Sequence, residues 1–137
     1  VRMTAADTLG DIGPPAVASV PALAALAQDP HWWVRRNAIE ALGRIGSSDG
    51  PAGEAMLRGL LDGDVRVRLN AAVALGKLTE PPEYAVSALE RAQAGDENRY
   101  VRYYARVALA YAESRRFAVD DDCPVRSGWS AMQSVAA

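Results

Sequence analysis

Few side chains in this 137-residue chain stand at spacings that support covalent chemistry. His31 is the only histidine and Cys123 the only cysteine, so neither has a second imidazole or thiol with which to build a metal site or an internal disulfide. There is no Ser/His/Asp set and no glycine-rich phosphate loop. Asp7 with Asp11, and Glu80 with Glu83, are carboxylate pairs of the kind that any solvated helix carries. The run Asp120, Asp121, Asp122 lacks the alternating ligand spacing of a calcium loop and reads as a solvated linker. The expectation is a noncatalytic protein without cofactor or metal.

Two other sets of residues are suited to binding. Asp29, Asp62 and Asp96 each precede an arginine by six positions, giving Arg35, Arg68 and Arg102. A carboxylate just before a helix can cap free amides and favours the positive helix end. The arginine can return to that turn or reach the next aspartate along the chain, so these six residues are expected to form a structural ladder. The second set is aromatic and basic: Trp32, Trp33 and Arg36, then Arg66, then Arg99, Tyr100, Tyr103, Tyr104 and Arg106. Such residues dominate binding hot spots because they bury a large area with little loss of freedom. At least one tryptophan of the pair is expected in the core.

The elements that position these sets come from a repeat. Val1, Arg2, Ala5, Leu9 returns as Val34, Arg35, Ala38, Leu42, as Val67, Arg68, Ala71, Leu75 and as Val101, Arg102, Ala105, Leu109, at steps of 33, 33 and 34 residues. Each phrase opens an amphipathic helix, since Val34, Ala38, Ala41, Leu42 and Ile45 share one face of a 3.6-residue period. The returning glycines Gly10, Gly43 and Gly76 each cost roughly 1 kcal/mol of helix propensity and point to close helix packing; Gly13 and Gly46 read as helix terminators. Shorter apolar segments lie between: Ala16 to Gln28, Ala52 to Leu61 and Glu83 to Ala94. Prolines stand where helices begin, and Pro21 must either kink its helix or mark its first turn. No strand pattern is present. The fold class is all-α, an α-solenoid of stacked helical hairpins with seven main helices and room for a short C-terminal helix over Trp129, Met132, Val135 and Ala136.

The recurring Asp29, Val34, Arg35, Ala38, Ala41, Leu42, Gly43 pattern, with its counterparts from Asp62 and Asp96, resembles the HEAT repeat, in particular the short type named after phycobilisome bilin lyases, in the armadillo-like superfamily. It carries neither the Thr-Pro-Leu-His phrase of ankyrin nor the Trp, Leu-Gly, Tyr spacing of tetratricopeptide repeats. The resemblance implies a right-handed superhelix of about 3.5 repeats over residues 1–116, with 117–137 as a tail or cap. In the family, the second helix of each pair commonly lines the concave face. The columns Met3, Arg36, Leu69, Tyr103 and Asp7, Glu40, Val73, Val107 and Asp11, Arg44, Lys77, Tyr111 then lie there. The candidate partner-binding residues are Trp33, Arg36, Arg66, Leu69, Tyr100, Tyr103, Tyr104 and Tyr111.

Composition narrows the partner. With 15 basic and 17 acidic residues the formal net charge is −2, which supplies no field for nucleic acid. No apolar run approaches a membrane span. The expected role is a protein-binding scaffold or adaptor, engaging a protein or another domain of a longer parent chain, since the sequence opens at Val1 inside a repeat; a cytoplasmic location is favoured. Two alternatives follow from the resemblance: a bilin lyase subunit, for which no residue identifies a pigment site, and a HEAT-like nucleic-acid binder, disfavoured by the charge balance.

Overall fold

A stripe of apolar residues on each helix has to be buried against another helix, and the helices described here meet that demand in pairs. A computed structural model describes Thr4 and residues 18–117. Six helices follow one another: α1 Val20–Leu26, α2 Trp32–Ile45, α3 Gly50–Leu60, α4 Val65–Lys77, α5 Glu83–Gly95 and α6 Arg99–Phe117. Among the described residues there is no strand. Among the described residues six helices stand where seven main ones were expected: the expected first helix, opening at Val1, lies outside them except for Thr4, which is helical, and the C-terminal one near Trp129 lies outside them altogether.

Proline and glycine set several of the boundaries. Pro51 occupies the first turn of α3, and Pro82 is the residue before α5. Pro21 resolves in favour of a first turn: α1 begins at Val20 and is only seven residues long, shorter than the apolar segment that contains it. Proline has no amide to give to a helical ladder, so the helix cannot extend far upstream of it. At the other end of α2, Gly46 takes φ 78° and its amide donates to the Leu42 carbonyl at 3.1 Å. That left-handed conformation is open to glycine at no steric cost.

The helices form three hairpins, α1 with α2, α3 with α4 and α5 with α6, packed side by side in two layers. Second helices pack extensively on one another, α2 on α4 and α4 on α6, whereas the first helices touch more sparsely. Small residues explain the difference. A Cβ added to Gly43 would stand 2.8 Å from Ala74, and one added to Gly76 would stand 2.9 Å from the Ala108 Cβ. The repeated phrase is the core itself: Val34, Val67, Val101, Ala38, Ala71, Ala105, Leu42, Leu75 and Leu109 are each no more than 8% exposed. Large side chains fill the space between layers, with Leu23, Ile39, Met56, Leu78 and Leu89 fully buried.

Candidate functional site

The turns between first and second helices carry the Asp and Arg residues, and there the side chains connect one hairpin to the next. Arg35 donates from Nε to Asp62 Oδ2 at 2.7 Å and from Nη2 to Asp62 Oδ1 at 2.9 Å, while Nη1 holds the Asp29 carbonyl at 2.9 Å. Arg68 repeats the arrangement one hairpin later, donating to Asp96 at 3.0 Å, to the Asp62 carbonyl at 2.9 Å and to Glu97 at 3.2 Å. Arg102 holds its own Asp96 carbonyl at 2.6 Å. Each paired arginine thus ties its own turn to the aspartate of the following hairpin. Bidentate charge-assisted bonds of this kind are among the stronger polar contacts in proteins.

The aspartates act on the turn rather than on the helix amides. Asp29 accepts the His31 amide at 2.9 Å, Asp62 the Asp64 amide at 2.9 Å and Asp96 the Asn98 amide at 2.8 Å. Helix capping falls to the next polar residue: Asp64 accepts the Arg66 amide at 2.9 Å, and Asn98 accepts the Tyr100 amide at 2.8 Å. The expected cap is displaced by two positions because an aspartate that turns the chain back on itself faces the amide two residues on. Burial works against the charge on Asp62, but the bonds from Arg35 and the Asp64 amide outweigh it and hold the carboxyl below its ordinary value. Arg66 grips Asp64 and lowers it to about 2.

Aromatic residues fall into two groups rather than one. At the start of α2, Trp32 packs against the core while Trp33 is 41% exposed. Their rings meet edge to face at 5.9 Å, and His31 stands 4.6 Å from Trp33. Arg66 of α4 lies over the Trp32 ring at 3.4 Å, so its guanidinium is held by both Trp32 and Asp64. The second group is on α6. Tyr100, Tyr103, Tyr104 and Tyr111 are 37–56% exposed, and Tyr103 meets Tyr104 edge to face at 5.4 Å. Two interhelical steps of about 8–10 Å separate the groups.

Between them the surface of the second helices changes character. On α2, Glu40 pairs with both Arg36 and Arg44, and Arg36 also donates to Asn37, so this end is a linked polar network. On α4, Leu69 and Val73 are half-buried. On α6 the stripe is aromatic. Of the eight candidate partner residues, Trp33, Tyr100, Tyr103, Tyr104 and Tyr111 present open aromatic surface; Arg36 and Arg66 are already engaged, and Leu69 gives part of its side chain to the interior.

Several contacts had no signal in the repeat phrase, because they fall where the repeats differ. Tyr84 of α5 donates its hydroxyl to the Ser48 carbonyl, joining hairpins in the first-helix layer. Arg115 donates to the Gly76 and Leu78 carbonyls at the end of α4. An open groove of about 840 Å³ runs between α3 and α5, lined by Leu57, Leu61, Ala88 and Arg91, with Leu61 87% exposed. Its charged rim combines the ladder residues Asp62, Arg68 and Asp96 with Glu97 and with Glu54, which pairs with Arg58. Among the described residues no group of three His, Cys, Asp or Glu side chains could hold a metal ion, and no helix is long and apolar enough to cross a membrane.

Three stacked hairpins tied by an Asp and Arg ladder define a helical repeat protein. The family model for HEAT repeats matches residues 1–53, and this match, together with the helical hairpins that follow it, supports a HEAT-like repeat protein. Repeats of this kind generally serve as scaffolds for protein interaction. No curated protein matches the chain.

Proposed function

We propose that this chain is a noncatalytic scaffold or adaptor module whose hairpins wind into a right-handed solenoid and hold a protein partner, or another domain of the parent chain, on the exposed side of the second helices. Closer packing of the second helices than of the first supports the reading in which their layer is the inside of the curve and this side the concave one. The observation that carries the reading is the tyrosine stripe of α6. Tyr100, Tyr103, Tyr104 and Tyr111 fall at i, i+3, i+4 and i+11, one face of the helix, and each is left well exposed. Four exposed aromatic rings aligned on one helix have no role in the core, and tyrosine joins apolar area to a hydroxyl that can find a partner across an interface.

The test is a triple substitution, Arg36→Ala, Tyr103→Ala and Tyr104→Ala, in an affinity capture whose bound protein is identified by mass spectrometry. The partner held by the unsubstituted chain should be lost while helical content by circular dichroism is unchanged. Retention of the partner by the triple variant rejects this surface.

A further inference from the structure

On α2 and α4 the side that faces the next hairpin is covered: Ile39 lies against Gly59, Gly43 against Ala74 and Gly76 against Ala108. In register along the repeat, Arg36, Ile39 and Gly43 of α2 correspond to Leu69, Ala72 and Gly76 of α4 and to Tyr103, Arg106 and Ala110 of α6. Ile39 and Ala72 are buried, whereas Arg106 in their place is exposed, Ala110 is half-buried and Tyr103 is 56% exposed. The described helices that pack on α6 are α4 and α5, and neither covers this side. α6 is also longer than its counterparts, 19 residues against 14 and 13, and its extension begins with the exposed Glu113.

Tyr103, Arg106, Ala110 and Glu113 stand at i, i+3, i+7 and i+10, the alternating spacing of a seam between two helices. The seam carries one basic and one acidic side chain on either side of a small residue. Among the described residues neither Arg106 nor Glu113 holds a side chain of opposite charge.

We infer that this seam pairs with that of a second copy of the chain, the two α6 helices lying antiparallel about a two-fold axis near Ala110. The order of charges selects this occupant and this direction. Arg106 lies about 6 Å before Ala110 along the helix axis and Glu113 about 4.5 Å after it. Reversing a second helix about Ala110 brings the Glu113 of each copy within about 1.5 Å of the level of the other's Arg106, a mismatch that a long arginine side chain absorbs. Two reciprocal ion pairs result, as an isologous contact requires. A parallel pair would set arginine on arginine and glutamate on glutamate. Ala110 near the axis permits the close backbone approach that Gly43 with Ala74 and Gly76 with Ala108 make inside the chain. Tyr100, Tyr104 and Tyr111 lie about a quarter to a third of a turn round the helix from Ala110, so the side proposed for a protein partner stays open in the dimer. One helix pair buries less than the roughly 1,600 Å² of a standard interface, so the dimer forms at high micromolar concentration and dissociates in dilute solution.

Sedimentation equilibrium of the full chain tests the pairing. The unsubstituted chain should dimerise, more weakly in added salt. Arg106→Glu and Glu113→Arg should each weaken the dimer by about tenfold or more, and the two together should restore it, because the reversed charges complement each other again across the two-fold. An Ala110→Cys, Cys123→Ser chain should form a disulfide-linked dimer on oxidation, whereas Glu90→Cys, Cys123→Ser, with its thiol at an exposed position of α5, should not. A chain that stays monomeric at high concentration, as it would if another segment of its own lay on α6, overturns the assignment. So does a dimer indifferent to the single reversals, a double reversal that fails to restore it, or equal cross-linking from both cysteines. None of these variants alters Arg36, Tyr103 or Tyr104, so loss of the dimer is distinguishable from loss of the protein partner.

Discussion

Gly43 of α2 lies so close to Ala74 of α4 that a Cβ at position 43 would stand 2.8 Å from both the Cα and the Cβ of Ala74. Real Cβ atoms do not approach a backbone carbon to that distance, so the spacing of the second helices is set by the absence of a side chain. Gly76 and Ala108 repeat the relationship one hairpin later. On α6 the same position is Ala110, and no described helix packs against it.

Gly43→Ala should destabilise the fold by about 1–3 kcal/mol, because overpacking against backbone exceeds the gain of roughly 1 kcal/mol in helix propensity. Ala110→Gly is the control, and it should cost only about 1 kcal/mol or less, the propensity term alone. Urea midpoints decide the matter: a Gly43→Ala variant more stable than the unsubstituted chain would falsify the packing account.

Tyr84 provides the corresponding tie in the looser first-helix layer. Tyr84→Phe keeps the ring and removes the hydroxyl that the Ser48 carbonyl accepts. The cost should be about 0.5–1.5 kcal/mol, at the lower end of that range because the residue is 40% exposed. A null effect on the unfolding midpoint would show that the bond adds nothing beyond water.

The stack was legible in the sequence because its determinants recur. Val34, Ala38 and Leu42 announce a buried face, and Gly43 announces a close approach, since nothing else explains a glycine returning inside a helix. The ladder was legible for the same reason, though the roles of its aspartates shifted, since only geometry shows that Asp62 bonds to the amide of Asp64 and leaves capping to Asp64. Contacts made by residues that occur once, such as Tyr84 and Arg115, have no period and so no signal. The aromatic set was visible by type, but its division into a tryptophan group on α2 and a tyrosine stripe on α6 depends on the distance between helices.

Arg66→Ala should uncover Trp32 without disturbing the fold. The guanidinium covers that ring at 3.4 Å. With Trp32 left as the single tryptophan by Trp33→Phe and Trp129→Phe, acrylamide should quench the Arg66→Ala chain more strongly than its parent. Equal quenching would mean that Arg66 spends its time in solvent and is free to serve a partner.

Acid should weaken the ladder from one direction only. Asp62 and Asp64 both ionise more readily in the folded chain than the ordinary aspartate value of 3.8, Asp64 at about 2. A lowered folded value means that the unfolded chain binds more protons between those limits, so stability falls as pH drops from about 4 towards 2 and is constant above that window. Asp62→Asn isolates one partner. At neutral pH it leaves Arg35 without its countercharge and should cost about 1–3 kcal/mol. As pH falls through the lowered range of Asp62, protonation removes the same charge from the unsubstituted chain, so the gap between the two unfolding midpoints should narrow. A gap that stays constant from pH 5 to pH 2 would show that Asp62 acts through shape and turn geometry, and that its charge contributes nothing to holding successive hairpins together.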